Sequence, residues 1–275
     1  MKMDKLLSTP MPSFDGKTPG SFVWSNIAFW IARRILAVQF RTSEVTGTET
    51  LPLDRGNLCC AWHTNGLMDP LQIVLKHPNN FVMGGRHDLV TRPFLGWWTR
   101  KLAVQPVVRK AELLRGGCSE EEATQINGRS LLMLAQGISA GFGCVLFPEG
   151  TSHNDSSMLR FRTGPFRTVF AAAAIAKSEG KPIPAVIPTG LHFRRRDHFR
   201  TDVWIEYGPP HSLQAEDIPN DLVEAVSKGN WVEPAAENVY ALRDALRLQL
   251  TPMTPNAHDW DENNALHILG HVESR

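Results

Sequence analysis

The 275-residue sequence predicts an α/β fold, a central mixed sheet flanked by helices. Two observations carry this. Short apolar runs of strand length alternate with longer segments of helical periodicity. Two polar loops, Trp62-His63-Thr64-Asn65-Gly66-Leu67-Met68-Asp69-Pro70 and Phe147-Pro148-Glu149-Gly150-Thr151-Ser152, each follow such an apolar run. Open α/β sheets build their sites at the carboxyl ends of strands.

The composition fits a globular chain, 42% hydrophobic and 21% charged, with a net charge of +1. No global field recruits nucleic acid, and no nucleic-acid partner is expected. Cys59, Cys60, Cys118 and Cys144 form no C-x-x-C pair. They read as reduced, buried thiols and not as a disulfide or zinc framework. No apolar run reaches the roughly 18 residues that span a bilayer, and the N-terminus lacks a secretory pattern.

Residues 1–20, rich in Pro, Ser, Thr and Gly, read as a flexible lead-in. Residues 21–44 hold a dense apolar segment. Phe22, Trp24, Ile27, Phe29, Trp30, Ile35, Leu36, Val38 and Phe40 lie there, with Arg33, Arg34 and Arg41 near its end. It reads as a helix, either packed on the core or lying at a membrane interface, where tryptophans and arginines are favoured. The body of the domain is expected over residues 45–250, and a loose polar tail over 251–275.

Leu58–Trp62 predicts a buried strand leading to His63. Asp69-Pro70 reads as a helix N-cap followed by proline at the first helical position, with Leu71, Ile73, Val74 and Leu75 in the helix. Phe81–Met83 and Val104–Val108 are strand candidates, separated by the aromatic cluster at 94–98. Ser119 and Glu122 form a capping-box signature ahead of Ile126, Leu131, Leu134 and Ile138, and Gly141 and Gly143 end that helix. Cys144–Phe147 predicts a strand, and Pro165–Lys177 an alanine-rich buried helix closed by Gly180. Strands are expected at 185–187 and 203–205. A last helix over 235–250 carries Val239, Leu242 and Leu246 on one face.

Three constellations could carry chemistry. His63 with Asp69 is a general-base pair if the carboxylate holds the imidazole; otherwise Asp69 is only a cap and His63 a strand-end residue bonded to backbone. Glu149 sits in a Pro/Gly turn whose glycine admits a close ligand, with Thr151 and Ser152 hydroxyls for an oxyanion. The bland alternative is a solvated glutamate. Arg86, Arg109, Arg160 and Arg162 flank predicted strand ends or the glutamate loop. They form a phosphate site if they converge, and are solvated charges if they do not. The run His192–Arg196 is a basic stretch facing anionic lipid or substrate, or a solvated loop. No H-E-x-x-H spacing and no glycine-rich phosphate loop occurs, so neither metal nor cofactor is expected.

Together these segments resemble the glycerophospholipid acyltransferase superfamily, the 1-acylglycerol-3-phosphate and glycerol-3-phosphate O-acyltransferases. That family carries H-x-x-x-x-D, a strand ending in Arg, F-P-E-G-T, and a proline-bearing strand, in that order. Here these correspond to His63 to Asp69, Gln105–Arg109, Phe147–Thr151 and Ile187-Pro188, over residues 45–210. Five residues separate His63 from Asp69 where the usual motif has four, and Ser152 stands where Arg is frequent. The resemblance implies transfer of a fatty acyl group from acyl-CoA or acyl carrier protein to a glycerol-phosphate hydroxyl. It implies His63 as base and Asp69 as its orienting group. Arg109 would hold the phosphate, with Glu149, Gly150, Thr151, Arg86 and Arg162 shaping the substrate site. It also implies a membrane-associated enzyme of phospholipid synthesis, peripheral or monotopic on a cytoplasmic face. The alternatives are another lysolipid or alcohol acceptor, and a non-catalytic lipid-binding module of the same fold.

Overall fold

A computed structural model gives the architecture; it describes residues 14, 16–86, 90, 92–107, 110–115, 117 and 119–273. Helix α1 (Phe22–Gln39) leads into β1 (Phe40–Thr46) and β2 (Asn57–Ala61). Then come α2 (Met68–Lys76), β3 (Phe81–Val82), β4 (Gly84–Arg86) and α3 (Pro93–Lys101). Next are β5 (Gln105–Val107), α4 (Lys110–Arg115), α5 (Glu120–Ser139), β6 (Gly143–Leu146) and α6 (Gly164–Ser178). The chain ends with β7 (Ala185–Phe193), β8 (Thr201–Tyr207), β9 (His211–Ser212), α7 (Asn220–Ser227), α8 (Ala236–Leu250) and α9 (Trp260–Glu273).

The main sheet runs β1-β8-β7-β2-β6-β3, with β9 also on β7, and β4 and β5 pair separately. It is mixed, as expected: β2 is parallel to β6 and β7, and β8 is antiparallel to β7. The central strand β2 (Asn-Leu-Cys-Cys-Ala) is buried at every residue. A strand covered on both faces is read as a continuous apolar run, which is why alternation is absent there. Cys59, Cys60 and Cys144 are free and buried in this layer. Burial pushes the Cys59 thiol up to about 12, and Cys60 and Cys144 rise for the same reason.

The helices form where their local chemistry directs. At α5 the Ser119 hydroxyl accepts the Glu122 N–H and the Glu122 carboxylate accepts the Ser119 N–H, closing the predicted capping box. Gly141, at φ 99°, ends that turn, while Gly143 instead begins β6. In α6 the buried alanines 171–174 and 176 present almost no side-chain volume. The helix can therefore lie close against its neighbours.

Three expectations change. Residues 21–44 are not one helical segment, because Phe40–Thr46 leaves the helix and pairs with β8 in parallel. Asp69 is not the N-cap; α2 begins at Met68 with Leu67 capping, and the Asp69 side chain turns back into the preceding loop. The tail is not loose. Met253, Thr254 and Ala257 are buried and residues 260–273 are helical. The first 13 residues and Cys118 lie outside the described residues.

His77 caps α2 and packs edge-on against Phe81 and Tyr207. Its Nδ1 accepts the Asn79 N–H, and burial pulls its pKa down from 6.5 to about 4. Between those values the unfolded chain takes up a proton that the native ring refuses. Stability is therefore complete above pH 6.5 and is lost as pH falls through the window. Urea unfolding should show a loss on the order of 3 kcal/mol from this residue between pH 6.5 and 4. His77→Gln should flatten that part of the profile.

Candidate active site

The carboxyl ends of the adjacent parallel strands β2 and β6 deliver His63 and Phe147 to one place. The two rings stack at 3.9 Å between centroids and 12° between planes. This fixes the imidazole plane. His63 Nδ1 lies 2.9 Å from Asp69 Oδ2. The aspartate side chain is fully buried and the histidine side chain is 17% exposed. With Nδ1 donating to the carboxylate, Nε2 is the free, accepting nitrogen, and it has no partner among the described residues. That is the tautomer a general base requires.

Asp69 Oδ2 also accepts the Thr64 N–H at 2.9 Å and the Asn65 N–H at 2.8 Å. The five-residue separation is taken up in a turn. Met68 N–H bonds Asn65 O at 3.0 Å, and Gly66 sits at φ 49°, where a side chain would be strained. The loop thus wraps around the carboxylate, and the longer spacing still brings His63 and Asp69 into contact.

Glu149 was expected to shape the substrate site or to be solvated. It does neither. It is 3% exposed. Its Oε2 accepts the His63 N–H at 2.8 Å, and its Oε1 accepts the Leu159 N–H at 2.8 Å. His153 Nε2 also lies 2.9 Å from Oε1, off the line of a hydrogen bond. The physical reason is that His63 reaches its position with an unpaired main-chain N–H, and a buried carboxylate is a strong acceptor for it. Glu149 is a strut between the two loops.

Other ties run in parallel with it. His153 N–H donates to His63 O at 3.0 Å. Gly66 N–H donates to the Ser152 hydroxyl at 3.3 Å, so Ser152 is occupied as a link between loops. Gly150, at φ 72°, turns the chain beneath Arg162, whose Cγ would meet a Cβ there at 3.3 Å. Arg162 N–H bonds Pro148 O. Thr151, Arg160 and Arg162 are exposed on this loop, and the two arginines have no ion-pair partner among the described residues.

Arg86 contributes to β4 next to β5, but its side chain lies outside the described residues, as does Arg109 entirely. The predicted cluster of four arginines is therefore represented here by Arg160 and Arg162 beside the glutamate loop. A cavity of about 470 Å³ is lined by Trp62, Thr64, Arg196, Trp204 and Trp260, among others, but not by His63. Sequence reading missed Phe147 as the stacking partner, His153 beneath Glu149, and Trp260. A lone tryptophan in an otherwise polar tail was the one visible signal for the last.

Glu149→Gln keeps the shape but turns an amide N–H toward either the His63 or the Leu159 N–H. The change should cost about 1–3 kcal/mol, read as a lowered urea midpoint with an unchanged slope.

The sequence profile of the Acyltransferase family matches residues 42–189, which spans both loops. Glycerol-3-phosphate O-acyltransferase 2 of Saccharomyces cerevisiae is 29% identical over 151 residues. That match covers 54% of this chain and only 19% of the yeast protein's length. The crystal structure of the 1-acyl-sn-glycerophosphate (LPA) acyltransferase PlsC from Thermotoga maritima shares the fold. Its TM-score is 0.50 at 19% identity, covering 80% of each chain. With more than half its length matched and the two motif loops brought together, this chain belongs to the Acyltransferase family.

Proposed function

We propose that the protein is a membrane-associated O-acyltransferase that moves a fatty acyl group from acyl-CoA or acyl carrier protein to a glycerol-phosphate hydroxyl. The acceptor is lysophosphatidate or glycerol 3-phosphate. The observation that carries this reading is the buried Asp69 carboxylate 2.9 Å from His63 Nδ1, which leaves Nε2 free to take a proton. The same contact argues against a non-catalytic lipid-binding module.

The geometry supports the following course of reaction. The acceptor hydroxyl approaches His63 Nε2 and gives up its proton as its oxygen attacks the thioester carbonyl. Asp69 stabilises the imidazolium that forms. The tetrahedral intermediate collapses, the carbon–sulfur bond breaks, and the proton on Nε2 passes to the leaving thiolate. Because a thioester is already activated, no acyl-enzyme is required, and the buried thiols are out of reach of substrate. Thr151 and Arg162 stand on the exposed side of the glutamate loop, where they meet the acceptor, and the family resemblance implies that Arg109 holds its phosphate, with Arg86 as a further substrate-binding residue.

The surface supports work on an amphiphile. Most apolar residues of α1 face outward: Phe22, Val23, Ile27, Trp30, Ile35 and Val38 are exposed. Helix α3 adds Leu95, Trp97 and Phe94, the last 90% exposed. The two helices meet through Trp24, whose ring is 5.0 Å from Trp97 and 5.8 Å from Trp98. Arg33, Arg34, Arg100 and Lys101 are exposed on the same two helices. Among the described residues no helix is long and apolar enough to cross a membrane. This surface lies on a bilayer, with apolar side chains in the interface and cations at the headgroups. The thioester donors are cytosolic, which puts the reaction on the cytoplasmic face.

Two outcomes are expected. His63→Ala, with the fold retained, should lower transfer of a radiolabelled acyl chain to lysophosphatidate or glycerol 3-phosphate by roughly 100- to 10,000-fold. Transfer at the wild-type rate would show that another group takes the proton. Phe94→Asp and Trp30→Asp should each weaken sedimentation with phosphatidylglycerol-containing vesicles by about tenfold or more, with unfolding unchanged.

A further inference from the structure

We propose that Arg196 is a positioning residue for the His63 loop, held in place by Trp260 of α9. The proposal rests on the acyl-transfer reading of the site. Arg196 ends the basic run His192–Arg196, whose three arginines lie in the turn between β7 and β8. Its neighbours Arg194 and Arg195 are exposed, whereas Arg196 is half-buried.

The argument turns on one peptide unit. The Thr64 carbonyl and the Asn65 N–H belong to the same plane. Arg196 Nη1 donates to that carbonyl at 3.1 Å, and Asp69 Oδ2 accepts that N–H at 2.8 Å. The plane is pinned at both ends, on one side by a cation and on the other by the carboxylate that orients the imidazole. Rotation of this plane withdraws a hydrogen bond from Asp69 and frees it to turn from His63.

Arg196 also reaches the second loop. Nη1 lies 3.5 Å from the His153 carbonyl, and the His153 N–H holds His63 O. The Asn65 side-chain amide donates back to Arg196 O at 3.4 Å. The guanidinium lies over the Trp260 ring, 4.5 Å from its centroid. Trp260 is itself fixed, its Nε1 donating to Asn154 O at 2.6 Å and its ring 6.2 Å from that of Trp62. No carboxylate pairs with Arg196 among the described residues, so its charge is directed at main-chain carbonyls. Both carbonyl contacts are made by Nη1 while the flat guanidinium lies on the indole, a face that the strongly hydrated ammonium of lysine does not have.

The test compares Arg196→Ala, Arg196→Lys and Trp260→Ala with Arg195→Ala, the exposed neighbour. Steady-state transfer is measured with acyl-CoA or acyl carrier protein as donor, alongside long-range ¹H–¹⁵N spectra of the His63 ring in substrate-free protein. For Arg196→Ala and Trp260→Ala, kcat should fall, by roughly up to 100-fold, with KM little changed. Arg196→Lys should fall between these and wild type, and Arg195→Ala should match wild type. The ring should hold the Nδ1–H tautomer in wild type and average between tautomers in Arg196→Ala. If Arg196→Ala does not fold, Arg196→Lys and Trp260→Ala carry both readouts. Wild-type kcat and unchanged ring resonances in the folded variants overturn the proposal, as does a rise in KM alone. A wild type without transferase activity refutes the reading of the reaction, and the spectra still decide the role of Arg196.

Discussion

The geometry of this molecule depends on one buried acceptor. The Glu149 carboxylate, shut away from water, receives the N–H of His63 from one loop and the N–H of Leu159 from the far side of the other. Parallel strands bring loop ends to a common edge, but they do not decide how the loops sit against one another. A charge in a low-dielectric interior is costly unless hydrogen bonds surround it. The arrangement that satisfies Glu149 is the one that seats His63 over Phe147. The remaining ties, His153 to the His63 carbonyl and Ser152 to Gly66, then close at little further cost in chain entropy.

Within that frame the two carboxylates divide the work. Asp69 bonds a ring nitrogen and two N–H groups of its own loop, so it sets the tautomer and the turn together. Among the described residues the hydrogen bonds that Glu149 accepts come from main chain, and His153 Nε2 lies beside its Oε1. One carboxylate therefore acts on the chemistry of the imidazole and the other on its location.

Much of this was legible from the chain. The order of strands and helices followed from apolar runs and their punctuation, and the capping box at Ser119 and the alanines of α6 fold as their local chemistry directs. His63, Asp69 and the Phe147–Ser152 loop were visible because polar residues immediately after buried strands have few other uses. The inward turn of Glu149 was not visible. A glutamate beside glycine reads as facing substrate or solvent until a second loop, 86 residues earlier, presents an N–H to it. Asp69 before Pro70 imitates a helix cap, and only the path of residues 64–68 shows that its side chain points backward. Arg196 and Trp260 escaped because their partners are carbonyl oxygens and each other's faces, and neither leaves a pattern in sequence. Strand β1 was hidden by the apolar helix that runs straight into it.

The tie between the loops uses the backbone of residue 63 and the side chain of residue 149. Chemistry and scaffold are thus separable at the first position and fused at the second. A lineage could exchange the imidazole at the cost of its contacts with Phe147 and Asp69 and keep the tie between the loops, while losing the glutamate removes that tie. Relatives that lack the imidazole but keep this architecture should still carry the acid that receives the neighbouring main-chain N–H.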